Sequence, residues 1–350
     1  KLLLKFSQKN KNKHLHSVHL NMRMNWKKEI FNLFMGIESD VIKVFSKNSS
    51  IIGDDCAYLR KTKQLISTDT IVENIHFNFR YFNDKQIAHR LIVSNYSDIQ
   101  SSGGTPRFGL LNISFPKNKK KVTLSICNQI NLLSKKLNIE IIGGDTSSSE
   151  NFVASLTLIS DKIDQKDIIR RSSAKIGDSI FIFQNLGFSK LGYLSINKKI
   201  KLPNHIKDKS HKQFLEPKFH KYHDVFQKLK INSSMDISDS LIDCLNIIAN
   251  QSKKKLIIKN LDLVNPKIYK LFQKNISLYF KLILTSGEEY TPVFTMNKKF
   301  LTSKLLTLVK RKKINIIEIG EVTKGRGIEC NQIDLKSFST FDHFKNSYSN

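Results

Sequence analysis

The dipeptide Asp54-Asp55, in "SIIGDDCAYL" (50–59), sets two carboxylates side by side directly after an apolar run and a glycine. Two such charges about 4 Å apart repel by roughly 4 kcal/mol at an effective dielectric near 20. Either a positive partner offsets that cost or the loop lies open to water. Five further aspartates share the setting: Asp69 in "LISTDT", Asp98 in "NYSDI", Asp145 in "IIGGDT", and Asp236 with Asp239 in "SMDISDS". Each adjoins Gly, Ser or Thr, and most follow an apolar run. Small neighbours let a backbone approach a ligand closely, and glycine admits the turn that ends a strand. Any one of these acids reads equally well as a helix cap or turn residue, but the recurrence weighs against that for all of them. Loops of this kind brought together make a cluster of hard oxygens. Magnesium suits such a cluster, since it prefers a few carboxylates, waters and substrate phosphates.

The elements that must position these acids alternate along the chain. After the amphipathic, helix-like "NWKKEIFNLFMG" (25–36) come the apolar stretches "QLIST" (64–68), "HRLIVSNYSDI" (89–99), "FGLLNISF" (108–115), "VTLSICNQINLLSKKL" (122–137), "IEIIGG" (139–144) and "FVASLTLIS" (152–160). Strands mixed with helices predict an α/β or α+β fold. Polar "DKIDQKDIIRRSSAKIGD" (161–178) reads as a hinge, followed by a strand at "SIFIF" (179–183), basic connecting sequence around 197–223, and a helix at "DSLIDCLNIIANQS" (239–252). The expected organisation is a basic extension over 1–23, a first domain over 24–165 and a second over 166–350.

Composition narrows the classes. The chain has 350 residues, 40% apolar, with 58 Lys and Arg against 30 Asp and Glu, a formal charge of +28. That charge invites a nucleic-acid reading. The lysines are scattered, however, alongside abundant Asn, Ile and Phe, and no nucleic-acid-binding motif appears, so nucleic acid is not the expected specific partner. No stretch reaches the roughly 18 apolar residues of a membrane span, and the start lacks a secretory signal pattern, which makes cytoplasm the default compartment. The four cysteines have no C-x-x-C pair and read as free thiols. No G-x-x-x-x-G-K-[ST] loop is present, and the protein-kinase triplets HRD and DFG are missing. A nucleotide here must be held through metal ions and short Gly/Ser loops.

In order along the chain stand "GDDCA" (53–57), "STDT" (67–70), "ENIHF" (73–77), "NYSDI" (95–99), "GGTP" (103–106), "IIGGDT" (141–146), "RSSAKIGD" (171–178), "MDISDSL" (235–241), "SGEEY" (286–290) and "FDHF" (341–344). The series resembles the motifs of the thiamine-monophosphate kinases, over about residues 25 to 344. The resemblance implies the two-domain α/β fold shared with aminoimidazole ribonucleotide synthetase, a homodimer paired through its N-terminal domains, and ATP- and magnesium-dependent phosphorylation of thiamine monophosphate. It also implies residue roles. Asp54, Asp55, Thr68, Asp69, Asp98, Asp145, Asp236 and Asp239 would serve the metal; Gly144, Asp145, Arg171 and Ser238 would face the nucleotide; His76, Glu288 and Phe341 would face the thiamine moiety. The acceptor is itself a phosphate with a second pKa near 6, so no general base is required, and positioning with charge neutralisation would be most of the catalysis.

The chain departs from the family pattern at several places. Ser240 replaces the glycine of D-I-S-D-G-L, which predicts a strained turn if that position needs positive φ. "SGEEYTP" stands where "GGEDYEL" is usual, changing Glu289 and Thr291 among others. The "TG-x-LG" loop reads "FQNLG" (183–187), losing its first glycine in the stretch around Asn185, and Leu137 or Lys136 falls where an adenine-stacking aromatic is common. The alternatives are another ATP-dependent enzyme of the same superfamily, such as a purine-pathway synthetase, or a basic nucleic-acid-binding protein on a degenerate enzyme fold.

Overall fold

The computed structural model describes residues 37–46, 52–219, 223–226, 228–335 and 338. The extension over 1–23, the helix-like stretch 25–36 and Phe341 lie outside the described residues. The chain divides into two units, residues 1–52 with 342–346 and residues 53–341 with 347–350. In the first, helix α1 (Ile37–Ser46) carries an i,i+3 ion pair of 2.8 Å between Asp40 and Lys43.

The second unit contains two sheets. The first is built from β1 (Ala57–Leu59), β2 (Gln64–Val72), β3 (Pro106–Phe115), β4 (Glu140–Ser148) and β5 (Val153–Ser160), in the order β1-β2-β5-β3-β4. Only the β3–β4 pair is parallel, and its crossover contains α3 (Lys120–Lys136). Helix α2 (Asp84–Ser101) opens with a capping box between Asn83 and Gln86. It packs on β2 and β5 and also reaches the strand Ile231–Asp236 of the second sheet. Covered on several sides, its sequence has no clean polar face, which is why 89–99 reads as an apolar run. Strand β5 shows the period-2 alternation of a one-sided sheet: Ala154, Leu156 and Leu158 are fully buried beneath the helices. The opposite face bears Thr68, Thr70, Leu110 and Asn112, all exposed, and edge strand β4 is exposed along nearly its whole length.

The second sheet runs β11-β8-β10-β6-β9-β7, from β6 (Ser179–Phe183), β7 (Ile231–Asp236), β8 (Lys255–Ile258), β9 (Pro292–Met296), β10 (Ile316–Thr323) and β11 (Gly327–Cys330). Its helices are α4 (Phe188–Ile196), α5 (Asn204–Leu215), α6 (His223–Phe226), α7 (Leu241–Ser252), α8 (Pro266–Leu271), α9 (Ile276–Leu284) and α10 (Ser303–Arg311). Central strands β6 and β9 are buried at every residue because both faces are covered. Ile180 and Ile182 pack with Leu241, Leu245 and Ile248 of α7, while Phe181 and Phe183 pack with Phe226, Leu305 and Val309. The region read as basic connecting sequence contains α5, whose Ile206, Ser210 and Phe214 repeat every four residues on a buried face. Gly192 of α4 allows the close crossing: a Cβ there would lie 2.2 Å from the Ser210 carbonyl oxygen. Among the described residues no helix is long and apolar enough to cross a membrane. All four cysteines are free thiols, as their spacing predicts.

Candidate active site

Asp54 and Asp55 follow Gly53, whose φ of +124° makes the turn into β1. The positive partners their adjacency demands are Arg170 and Arg171. The Arg171 amide donates to Asp54 Oδ1 at 2.9 Å, and the Arg170 guanidinium reaches Asp54 Oδ2 at 3.3 Å. Arg171 Nε donates to Asp55 Oδ1 at 2.9 Å, and its Nη2 joins the same oxygen. The stretch read as a hinge is thus where the charge of the pair is balanced, and Arg171 is held by Asp55 rather than solvated.

Three acids from three elements meet here. Asp55 precedes β1, Asp98 lies on α2 and Asp236 ends β7, and carboxylate oxygens of all three lie within 4.8 Å of one another. The Ser67 hydroxyl donates to Asp98 Oδ2 at 2.5 Å, and Ser97 donates to Asp236 Oδ2 at 2.8 Å. Burial pushes Asp55 up to about 6 against the pull of Arg171, with Asp54 adding to the rise, and pushes Asp236 up to about 7, with Asp55 adding to it. Asp98 is raised well above the usual range, by burial first and then by Asp236, Asp69 and Asp55. Asp69 is raised chiefly by burial, with Asp239 adding to it and a Ser94 hydrogen bond opposing it. Asp55 Oδ2 is buried with no hydrogen-bond partner. Gathering acids at this cost makes chemical sense where a cation shares them, and an all-oxygen donor set suits a hard divalent ion.

The local setting differs from the strand-end loops that the small neighbours suggest. Asp69 lies inside β2, Asp98 inside a helix and Asp145 inside β4. Asp145 stands in the row Thr70–Ser155–Asn112–Asp145 across the sheet. The Thr70 and Ser155 hydroxyls of that row meet at 2.7 Å on the exposed face, and Asp69, one residue from Thr70, points to the helix-covered side. Asp145 is therefore exposed on the edge strand and apart from the buried trio. Gly144, beside it, has no room for a side chain, since a Cβ would meet the Leu111 carbonyl oxygen at 1.8 Å. Thr68 accepts a 3.0 Å bond from Thr157 on the exposed face. Ser238 is half-buried and Asp239 exposed, in the loop between β7 and α7. His76 Nδ1 accepts from the Val72 amide at 3.0 Å, which puts the neutral ring's proton on Nε2.

Arg90 has no signal in the sequence. It is fully buried on α2, donates to the Phe214 carbonyl at 2.9 Å, and pairs with Glu288. Its guanidinium carbon lies 4.8 Å from the Phe82 ring centre and 5.1 Å from that of Phe214, the stacked geometry that Arg adopts and Lys does not. Two thiols border the acids. The Cys244 Sγ donates to the Asp236 carbonyl at 3.1 Å, and burial together with nearby carboxylates holds Cys56 and Cys244 well above the ordinary thiol range.

Residues 53–160 match the family model "AIR synthase related protein, N-terminal domain". Over 327 residues the chain is 34% identical to the thiamine-monophosphate kinase of Buchnera aphidicola subsp. Schizaphis graminum, covering 88% of this chain and 98% of that protein. The chain belongs to the thiamine-monophosphate kinase family. A second member, from Nitrosopumilus maritimus, is 30% identical over 83% of this chain and 92% of its own length. The solved structure of AaThiL complexed with AMPPCP and TMP superimposes with a TM-score of 0.75 at 24% identity, covering 87% of this chain and 97% of that one. The sequence relatives place the chain in an enzyme family, and the likeness to the solved structure shows a shared mixed α/β fold.

Gln184, at the first glycine of the T-G-x-L-G pattern, is held at φ +67°, a conformation glycine adopts more readily; the other departures fit this structure without strain. Ser240 has φ −163°, extended backbone open to any residue, and its hydroxyl caps α7 by accepting from the Asp243 amide. The strained turn expected there does not occur. Thr291 donates to the Phe183 carbonyl at 3.0 Å, and Asn185 accepts from Asn315 at 2.8 Å. Leu137 is the C-cap of α3 and packs on the core. Glu289 is buried, and burial pushes its carboxyl up to about 7 against the pull of its hydrogen bonds to Ser286, Gly187 and Ser189.

Proposed function

We propose that this chain transfers the γ-phosphoryl group of ATP directly to the phosphate of thiamine monophosphate, giving thiamine diphosphate. The observation that carries the reading is the meeting of half-buried Asp55 and Asp98 with buried Asp236 in a chain 34% identical to a thiamine-monophosphate kinase. The donor set fits magnesium, with Asp54, Thr68, Asp69, Asp145 and Asp239 as further candidate ligands. Magnesium, when bound, would neutralise the phosphate oxygens and lower the repulsion between two polyanions. Gly144, Asp145, Arg171 and Ser238 are assigned to the nucleotide, and His76, Glu288 and Phe341 to the thiamine moiety. Asp69, Asp98, Asp145 and Asp239 are the residues on which turnover should depend most.

The acceptor phosphate needs no base to remove a proton, so the protein's own contribution is orientation and exclusion of water. Mixing the protein with ATP, magnesium and thiamine monophosphate and separating the products tests the reading. Thiamine diphosphate and ADP in equal amounts are expected, and hydrolysis of ATP without thiamine diphosphate would sink it.

We further propose a cytoplasmic homodimer, with domains divided near residues 165 and 166. The exposed face and edge of the first sheet, including Ile142 at 53% exposure and Leu110 at 38%, support pairing there. Sedimentation should give twice the chain mass, and Ile142→Lys should shift it towards the monomer.

A further inference from the structure

Two departures from the family pattern meet in space. The "FQNLG" loop leads into α4, and the "SGEEY" loop carries Glu288. Glu289 joins them: its Oε1 accepts from the Gly187 amide at 2.7 Å and from the Ser286 hydroxyl at 2.6 Å, and the Ser189 amide also hydrogen-bonds to the carboxyl. The side chain is buried, with only 3% of the residue exposed.

The same loop interlocks with the one bearing Ser238 and Asp239. The amides of Glu289 and Tyr290 both donate to the Ile237 carbonyl at 3.0 Å, and Glu288 donates to Ser238 at 2.5 Å. A Cβ on Gly287 would lie 1.9 Å from the Asp239 carbonyl oxygen, so the loops touch backbone to backbone. Glu288 and Tyr290 have φ of 52° and 48°. Left-handed residues other than glycine persist only where their surroundings over-determine them.

We propose that Glu289 is a positioning residue that fastens the 286–290 loop to the start of α4 and so sets where Glu288 stands. The chain's glutamate is one methylene longer than the aspartate usual in the family motif, and it reaches the Gly187 amide that closes the altered 184–187 loop and the Ser189 amide at the start of α4. The inference rests on the kinase reading for its substrate, thiamine monophosphate, since Glu288 is assigned to the thiamine moiety. The 237–241 loop has its own anchors, at β7 and at the Ser240 cap, and keeps its place without Glu289.

The test compares Glu289→Asp with Glu289→Gln. Aspartate keeps the charge but falls short; glutamine keeps the accepting oxygen at full length. For Glu289→Asp the KM for thiamine monophosphate should rise about tenfold with the KM for ATP within about twofold, while Glu289→Gln stays within about threefold of wild type for both. Amide hydrogen exchange on the ligand-free proteins should quicken over 286–290 in the Asp variant and not in the Gln variant. Wild-type KM and exchange in Glu289→Asp would overturn the proposal, as would an equal rise in both KM values with unchanged loop exchange. Failure of the wild type to phosphorylate thiamine monophosphate would remove the kinase reading instead, and the exchange data alone would then decide the anchoring.

Discussion

The buried trio and strand β4 treat the same residue type in opposite ways. Asp55, Asp98 and Asp236 are drawn from three elements into one enclosed spot, with raised pKa values and one oxygen of Asp55 lacking a partner. Asp145 stands exposed on an edge strand, beside a glycine that admits no side chain. The first arrangement works against the stability of the ligand-free protein and the second does not. Under the proposed function the trio is kept for the cation it would bind, whereas an exposed acid draws its importance from a ligand that comes to it.

Substitutions should separate the two settings. Asp236→Asn is expected to cut turnover at least about 100-fold while raising the melting temperature by roughly 2–5 °C, because it removes a buried like charge. Asp145→Asn should also abolish turnover, as should Asp69→Asn, but the melting temperature of the Asp145 variant should stay within about 1 °C of wild type. Paired assays and melting curves read both effects. A stabilised Asp145 variant, or an unstabilised Asp236 variant, would break the comparison.

Next in size is the response to pH. Folded-state values of about 6 for Asp55 and about 7 for Asp236 lie above the ordinary value of 3.8. The stability from their protonated forms is fully present below about pH 4 and is lost as pH rises through 6 to 7. Without divalent ions the protein should melt roughly 3–6 °C lower at pH 8 than at pH 5.5. Added magnesium should restore most of that loss at pH 8 and do little at pH 5.5, where protons compete for the carboxylates. An equal magnesium effect at both values would move the cation elsewhere. The smallest effect concerns the α7 cap: Ser240→Ala should cost about 1 kcal/mol in urea unfolding.

The mixed α/β fold was legible because apolar runs of strand length alternate with longer helical ones, and because ten short motifs stand in order. The three acids that meet, Asp55, Asp98 and Asp236, were among those singled out by their small neighbours. Their local settings were not. Helix α2 is covered on several sides, so Asp98 carries no helical periodicity, and Asp69 and Asp145 sit in strands whose Gly and Thr residues look like turn formers. The arginines that balance Asp54 and Asp55 stand 116 and 117 positions away, beyond any local pattern. Arg90 is one of 58 basic residues, and only the aromatic sandwich around it distinguishes it. The Ser240 strain was expected from a glycine rule, but the backbone there is extended and asks for a cap.

The thiols beside the acids have a practical consequence. Cys56 and Cys244 are buried and hold negligible thiolate at neutral pH, while Cys127 and Cys330 are half-buried and less strongly shifted. A maleimide mixed with the native protein should therefore label two positions slowly and leave two untouched. The silent pair reacts only when the acid site itself opens, so counting labels per chain by mass spectrometry turns the site's own sulfur atoms into a clock for its unfolding.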